Sequence, residues 1–422
     1  MFHKKYLFLA LVAFVGCKSS QEFTGYSYDP PGVTQTEGKI TFPQKKRIIG
    51  AGSPKVWLSN EFEGARANDF YQVDANTFEV LIEPENAPIN NSTWYGFSIW
   101  SDTLQAINLR LKYTNGRHRY QPKVYIQKGL MNYSHMVTNA VYDTADGSAT
   151  FAMYVDTNPT RVSAQLLEGT LFSDLETQLQ HLASPSISIS SAGSSHQNRP
   201  VYQVTVDETK DDIEKGVLLL LSRQHPPEVS GYRAYWAFFN ALLADNELAN
   251  TFRKHFVIEA FPMINPDGVA NGHWRHNMQG IDLNRDWEFF NQPETRAVRD
   301  ALLPITQMDD RRVYYGIDFH STNENIFYPI LADIKTTPDN LTQRWAPIVT
   351  TALPGLNFSS EEFDTDSPIS KNWIFNTFGS DALTFEVDDE LGEKAIEQLG
   401  TTAAQSLMQL LLDEWTTFNT NQ

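Results

Sequence analysis

Cysteine is almost absent: of 422 residues, only Cys17 carries a thiol. Past that position no disulfide, catalytic thiolate or cysteine-built metal site is available, so packing must hold the fold and any chemistry must come from oxygen and nitrogen groups. Long apolar runs are missing too. Beyond the first 17 residues no stretch approaches the ~20 apolar residues that a membrane-spanning helix needs. Positive charge is the scarcer sign, with 33 Lys and Arg against 51 Asp and Glu and a net charge of −18. That balance argues against a nucleic-acid surface and against electrostatic docking on anionic lipid, and it favours solubility. No internal repeat is evident. What is plentiful is apolar bulk: 26 Phe, 17 Tyr and 9 Trp exclude a disordered or low-complexity chain, and the length calls for two cores.

The first 17 residues read as an export signal. His3, Lys4 and Lys5 form a positive start, residues 6–16 an apolar stretch too short to span a bilayer, and Cys17 follows Phe14, Val15 and Gly16. The pattern resembles a bacterial lipoprotein signal, which implies that Cys17 becomes the acylated first residue of the mature protein. A lipid anchor would then be its membrane attachment, in the cell envelope, facing the periplasm or the cell surface. Residues 18–39, rich in Ser, Gly, Pro and Thr, read as a flexible tether.

From 40 to 168 the chain shows short alternating runs at 77–82, 93–100, 107–113, 123–126 and 149–155, with no helical period between them. This predicts an all-β sandwich domain. From 169 to 422 the pattern changes. Helical spacing at 172–182, a loop-like 184–198, strands at 200–206, 217–221, 256–261, 313–319 and 379–387, and helices at 230–248, 293–303 and 394–418 predict an α/β fold, with a mixed sheet between helical layers. In such folds functional residues gather at strand ends.

The run 265–287, NPDGVANGHWRHNMQGIDLNRDW, packs a turn, two arginines and an amide between apolar stretches, as a carboxylate site would. His225, Pro226, Pro227 and Glu228 directly follow one apolar run, and Asp318, Phe319, His320 and Ser321 end another. Catalytic zinc needs three nitrogen or oxygen ligands and an open position, which His225, Glu228 and His320 supply for one ion. A carboxylate must move the proton, and Glu386, after the apolar run 382–385, is placed to do so. Arg275 is a candidate for stabilising a developing oxyanion, and Asn284 with Arg285 for clamping a terminal carboxylate.

HPPE at 225–228, the whole of 265–287, DFHS at 318–321 and LTFEVDDE at 383–390 together resemble the zinc metallocarboxypeptidase family typified by carboxypeptidase A, within its cytosolic-carboxypeptidase-like branch. Residues 94–97 and 117–122 resemble, more loosely, the β-sandwich that precedes the catalytic domain in that branch. The resemblance implies the roles just argued, with peptides as substrates. It also places Ser321 and Lys371 in the substrate site, Lys371 where relatives select the removed side chain, so that an acidic C-terminal residue or a stem-peptide acid is the expected preference. Pro227 stands where digestive relatives often carry an arginine, and 359–373 lacks a substrate-capping tyrosine. Three other readings stay open: a peptidoglycan stem-peptide amidase or carboxypeptidase, a noncatalytic module that binds peptide termini, and an acyl-amino-acid hydrolase.

Overall fold

The computed structural model describes residues 35–128, 131–182, 184–208, 214–362 and 365–420. Cys17 and the export signal lie outside the described residues.

The N-terminal strands form two sheets. One holds Ile48–Ala51, Val56–Ser59, Gly96–Ser101, Thr160–Ser163, Lys123–Lys128 and Met131–Met136, in that spatial order. The other holds Asp69–Gln72, Thr77–Ile82, Gln105–Tyr113, Ala149–Val155 and Val141–Tyr142. Period-two alternation explains the pairing: along Gln105–Tyr113, Ile107, Leu109, Leu111 and Tyr113 are buried while Ala106 and Asn108 are exposed. The inward set shares one apolar core with Val56, Leu58, Phe97 and Ile99 of the facing sheet.

The C-terminal half is an eight-stranded mixed sheet in the order Ile187–Ser194, Pro200–Val206, Phe256–Phe261, Lys215–Ser222, Arg311–Thr322, Asp381–Asp388, Asn325–Tyr328 and Phe358–Ser360. Its four central strands, from Phe256–Phe261 to Asp381–Asp388, run parallel. Lys215–Ser222 is buried at every position, as a strand covered on both faces must be. Leu218 and Leu220 pack with Tyr235, Phe238, Leu407 and Leu411 of the helices Val229–Leu242 and Glu393–Thr420. Val217, Leu219 and Leu221 pack with Val298 and Ile374 of Pro293–Leu302 and Ser370–Phe378 on the other side. Helices therefore cover both faces of the sheet.

Three expectations are corrected. The loop-like 184–198 contains the edge strand Ile187–Ser194, whose Ser-rich, exposed sequence hides its pairing with Pro200–Val206. The helix expected at 230–248 is two, Val229–Leu242 and Glu247–His255, because Asn246 caps the second by accepting from the Ala249 N–H. The expected tether is docked at its end: Thr36 is buried and hydrogen-bonded to Asp286 and Gln292, and the Lys39 N–H donates to the Gln279 carbonyl at 2.7 Å.

Candidate active site

The parallel strands deliver their loops to one edge of the sheet, where crevices form. After Lys215–Ser222 the chain makes a short turn carrying His225, and Glu228 stands at the N-cap of Val229–Leu242. His320 comes from the neighbouring strand Arg311–Thr322. The helix start can lie against that strand because residue 231 is glycine: a Cβ there would sit 2.6 Å from the His320 carbonyl carbon. The Gly231 N–H donates to Ser321 Oγ at 2.7 Å, closing the contact.

His225, Glu228 and His320 are buried, and their ligand atoms all lie within 4.8 Å of one another. Glu228 Oε1 is 2.8 Å from His225 Nδ1, Glu228 Oε2 is 2.8 Å from His320 Nδ1, and the two Nδ1 atoms are 3.2 Å apart. Each ring turns its other nitrogen to a carboxylate. His225 Nε2 meets Asp282 Oδ1 at 2.9 Å, and His320 Nε2 meets Asp318 Oδ2 at 2.7 Å. Aspartates that accept hydrogen bonds from the Nε2–H groups leave both Nδ1 lone pairs aimed at the common point, with the ring planes held. Two imidazoles and a carboxylate so oriented fit a zinc ion with a free coordination position.

Asp282 also accepts from Arg275 Nε at 2.7 Å and from the Asn284 N–H at 2.9 Å. Burial pushes its carboxyl up, but Arg275, His225 and Arg285 outweigh that and hold it well below the ordinary range. Glu228 behaves alike: burial raises it, and the two histidines bring it down on balance. Asn284 Oδ1 accepts from the Ser370 N–H at 2.9 Å, and Asn284 and Arg285 stand side by side in the wall of a cleft of about 400 Å³.

Glu386 is the direct neighbour of His320 across the parallel strands, so both face the cleft. Its Oε2 is buried with no hydrogen-bond partner among the described residues. Burial and then the charge of Glu228 push its carboxyl up to about 7, against the pull of His320, His225 and Arg275. A carboxyl poised there can take up and release a proton near neutrality.

The fold thus gathers His225, Glu228, His320, Glu386, Arg275, Asn284, Arg285 and Ser321 on one cleft. Lys371 is a correction. It is fully buried in Ser370–Phe378, its Nζ donates to the Pro329 carbonyl at 2.8 Å, and it is not in the cleft wall. Ile369 and Tyr328, which flank that contact in sequence, do line the cleft, so Lys371 sits one layer behind them. The sequence reading assigned no role to Asp282 or Asp318. Asp318 had a usable signal, since residues two apart on a strand share a face with each other and so with His320. Asn90, Ser92, Arg117 and Arg119, which the strand-rich half adds to the wall, gave none.

Residues 175–406 match the peptidase M14 family, described as zinc carboxypeptidase. The chain is 29% identical over 185 residues to cytosolic carboxypeptidase 6 of Caenorhabditis elegans, a match covering 40% of this chain and 39% of that relative's length. Among solved structures, a metallo-carboxypeptidase from Burkholderia cenocepacia superposes with a TM-score of 0.68 at 16% identity, over 86% of this chain and 99% of that one. A metallo-carboxypeptidase from Pseudomonas aeruginosa, in complex with (2-guanidinoethylmercapto)succinic acid, gives 0.62 at 16% identity, over 85% and 99%. At such identities the likeness speaks for the fold.

Proposed function

Since the chain belongs to the zinc carboxypeptidase family, we propose that it hydrolyses the C-terminal peptide bond of peptides, with His225, Glu228 and His320 holding one zinc ion. The observation that carries this reading is the convergence, on one cleft, of a His–Glu–His ligand set, a buried carboxylate oxygen without a partner among the described residues and an amide beside a guanidinium. Zinc, when bound, supplies a Lewis acid for the scissile carbonyl and the attacking water. Asn284 and Arg285 receive the terminal carboxylate and so select the last peptide bond. Glu386 takes the proton of the attacking water and hands it to the leaving amine. Arg275, anchored on Asp282, donates to the carbonyl oxygen as it gains negative charge.

The reading extends to substrate choice: a C-terminal Glu or Asp is favoured. Arg117, Arg275 and Arg285 line the cleft, and the buried Lys371 adds its field from behind the wall. Peptides differing only in the last residue test this, and equal or better cleavage after Leu or Lys overturns it. The same proposal assigns 40–168 to a β-sandwich domain and 169–422 to the catalytic domain, and holds the protein in a bacterial cell envelope by lipid on Cys17. Intact-mass analysis of the N-terminal peptide from the producing cell reads the anchor, and an unmodified Cys17 refutes it.

The deciding experiment is mass spectrometry of a mixed peptide library incubated with zinc-loaded protein, a chelated control and Glu386→Gln. Loss of single C-terminal residues that needs both zinc and Glu386 is expected. Failure to bind zinc, or activity undiminished in Glu386→Gln, overturns the mechanism, and activity confined to muropeptides would reassign the substrate to cell-wall stem peptides.

A further inference from the structure

Two residues adjoining the site are packed in the core of the other half of the molecule. Trp274, next to Arg275, is fully buried in the cluster of the two N-terminal sheets, edge-on to Tyr113 at 6.3 Å. Val229, next to Glu228, belongs to the same cluster. Between these contacts lies a buried acid. Glu85, which follows the strand Thr77–Ile82, is 1% exposed and aims its carboxylate at three consecutive backbone N–H groups. Its Oε2 accepts from Trp274 at 2.7 Å, and its Oε1 from Arg275 at 2.9 Å and His276 at 2.7 Å. Asn86 continues the grip, with Oδ1 2.6 Å from His276 Nδ1 and Nδ2 donating to the Gly280 carbonyl at 2.9 Å.

A carboxylate that served only to join two sheets could be satisfied anywhere along 271–281. This one lies on the amide of Arg275 and on the amides before and after it. An arginine side chain has many rotamers, and its guanidinium is placed only if both ends are held. Asp282 holds the far end through Nε, and Glu85 holds the backbone from which the side chain starts. Asp282 in turn meets His225. An unbroken polar path therefore runs from the N-terminal sheets to the candidate metal ligands.

We propose that Glu85 is a positioning residue for Arg275, so that the strand-rich half completes the active site as well as bordering it. The inference rests on the reading of Arg275 as the group that stabilises the carbonyl oxygen. Gln at position 85 keeps the size but turns an NH2 toward backbone donors, so the loop must shift. Glu85→Gln in the full chain is expected to lower kcat by about tenfold to a hundredfold with KM little changed, while zinc content stays stoichiometric. Glu85→Asp, which keeps the charge, should recover part of the loss. In an Arg275→Ala background the same substitution should change kcat by less than about twofold, because the group it acts through is gone. Hydrogen exchange supplies a readout independent of activity: the amides of 274–276 should be protected in the wild type and faster in Glu85→Gln. If Glu85→Gln does not fold, Asn86→Ala is expected to show the same pattern more weakly. Unchanged protection at 274–276, wild-type kcat in a folded Glu85→Gln, or an undiminished loss in the Arg275→Ala background would each overturn the proposal. An inactive wild type with protected amides would instead overturn the proposed function and leave the grip on the loop standing.

Discussion

Asp282→Asn should separate the organisation of the proposed metal ligands from the ligands themselves. The side chain is 3% exposed, nearly isosteric with Asn, and accepts from His225 Nε2 at 2.9 Å, the Asn284 N–H at 2.9 Å and Arg275 Nε at 2.7 Å. Asparagine can keep one oxygen toward His225 and Asn284, but it must then turn an NH2 against the Arg275 guanidinium. A charge-assisted bond of about 1.5–3 kcal/mol is lost, and a buried cation loses its counter-charge. His225 also loses the negative charge that makes its ring a better ligand. Partners of this kind are worth about 10–100-fold in metal affinity, or about 1.4–2.8 kcal/mol. The expected outcome is zinc affinity lower by that factor in a chelator competition, with kcat/KM falling further because Arg275 is also released. Thermal unfolding of the apo protein checks that the fold survives. Wild-type zinc affinity together with wild-type kcat/KM in Asp282→Asn would refute the claim that this carboxylate organises both groups.

Gly231→Ala should destabilise the fold by about 1–3 kcal/mol and weaken zinc binding, since its Cβ would press on the His320 backbone; wild-type zinc affinity and melting temperature would disprove the close approach. Lys371→Met should cost about 1–3 kcal/mol of stability by leaving the Pro329 carbonyl without its donor, and it should reduce the ratio of cleavage after Glu to cleavage after Leu. A ratio that holds would place any acidic preference in the arginines of the cleft. For Glu85, burial pushes the carboxyl up, but His273, His276 and Arg66 more than offset this and bring it from 4.5 down to about 2. A depressed folded-state value contributes stability in full above the unfolded value and loses it as pH falls from 4.5 through about 2; burial holds His273 and His276 below their ordinary values as well, so near neutrality the contribution comes from Arg66 and the three backbone N–H groups. Urea unfolding should therefore show the deficit of Glu85→Gln shrinking as pH falls below 4.5, and a deficit constant across that range would refute the assignment.

The difference between what was legible and what was not follows the range of the interactions. Strands paired along both edges announced themselves: Thr77–Ile82, Pro200–Val206, Phe256–Phe261 and Ala149–Val155 match the runs read from alternation or apolar content. Ile187–Ser194 did not, because an exposed edge strand carries the Ser and Gly of a loop and gains its order from the Pro200–Val206 ladder and from packing of Ala192 and Gly193 beside the helix Pro293–Leu302. Leu341–Ala352, with Pro347 inside it, and Ser370–Phe378 were likewise invisible as helices until the sheet gave them a surface.

The sequence by itself determined which chemistry the chain has the residues to offer. Residue types able to bind a divalent ion, move a proton and hold a carboxylate stand in motifs whose spacing within each segment is local, and local spacing survives in the linear text. Tertiary structure decided everything that depends on which segments meet. It set His320 beside Glu386 by strand register, gave each histidine its aspartate, moved Lys371 behind the cleft wall, and brought Glu85 from 190 residues away onto the Arg275 amide. Such placements arise from packing and hydrogen bonding between distant parts of the chain, and a buried carboxylate or lysine carries no mark in sequence of the partner it will find.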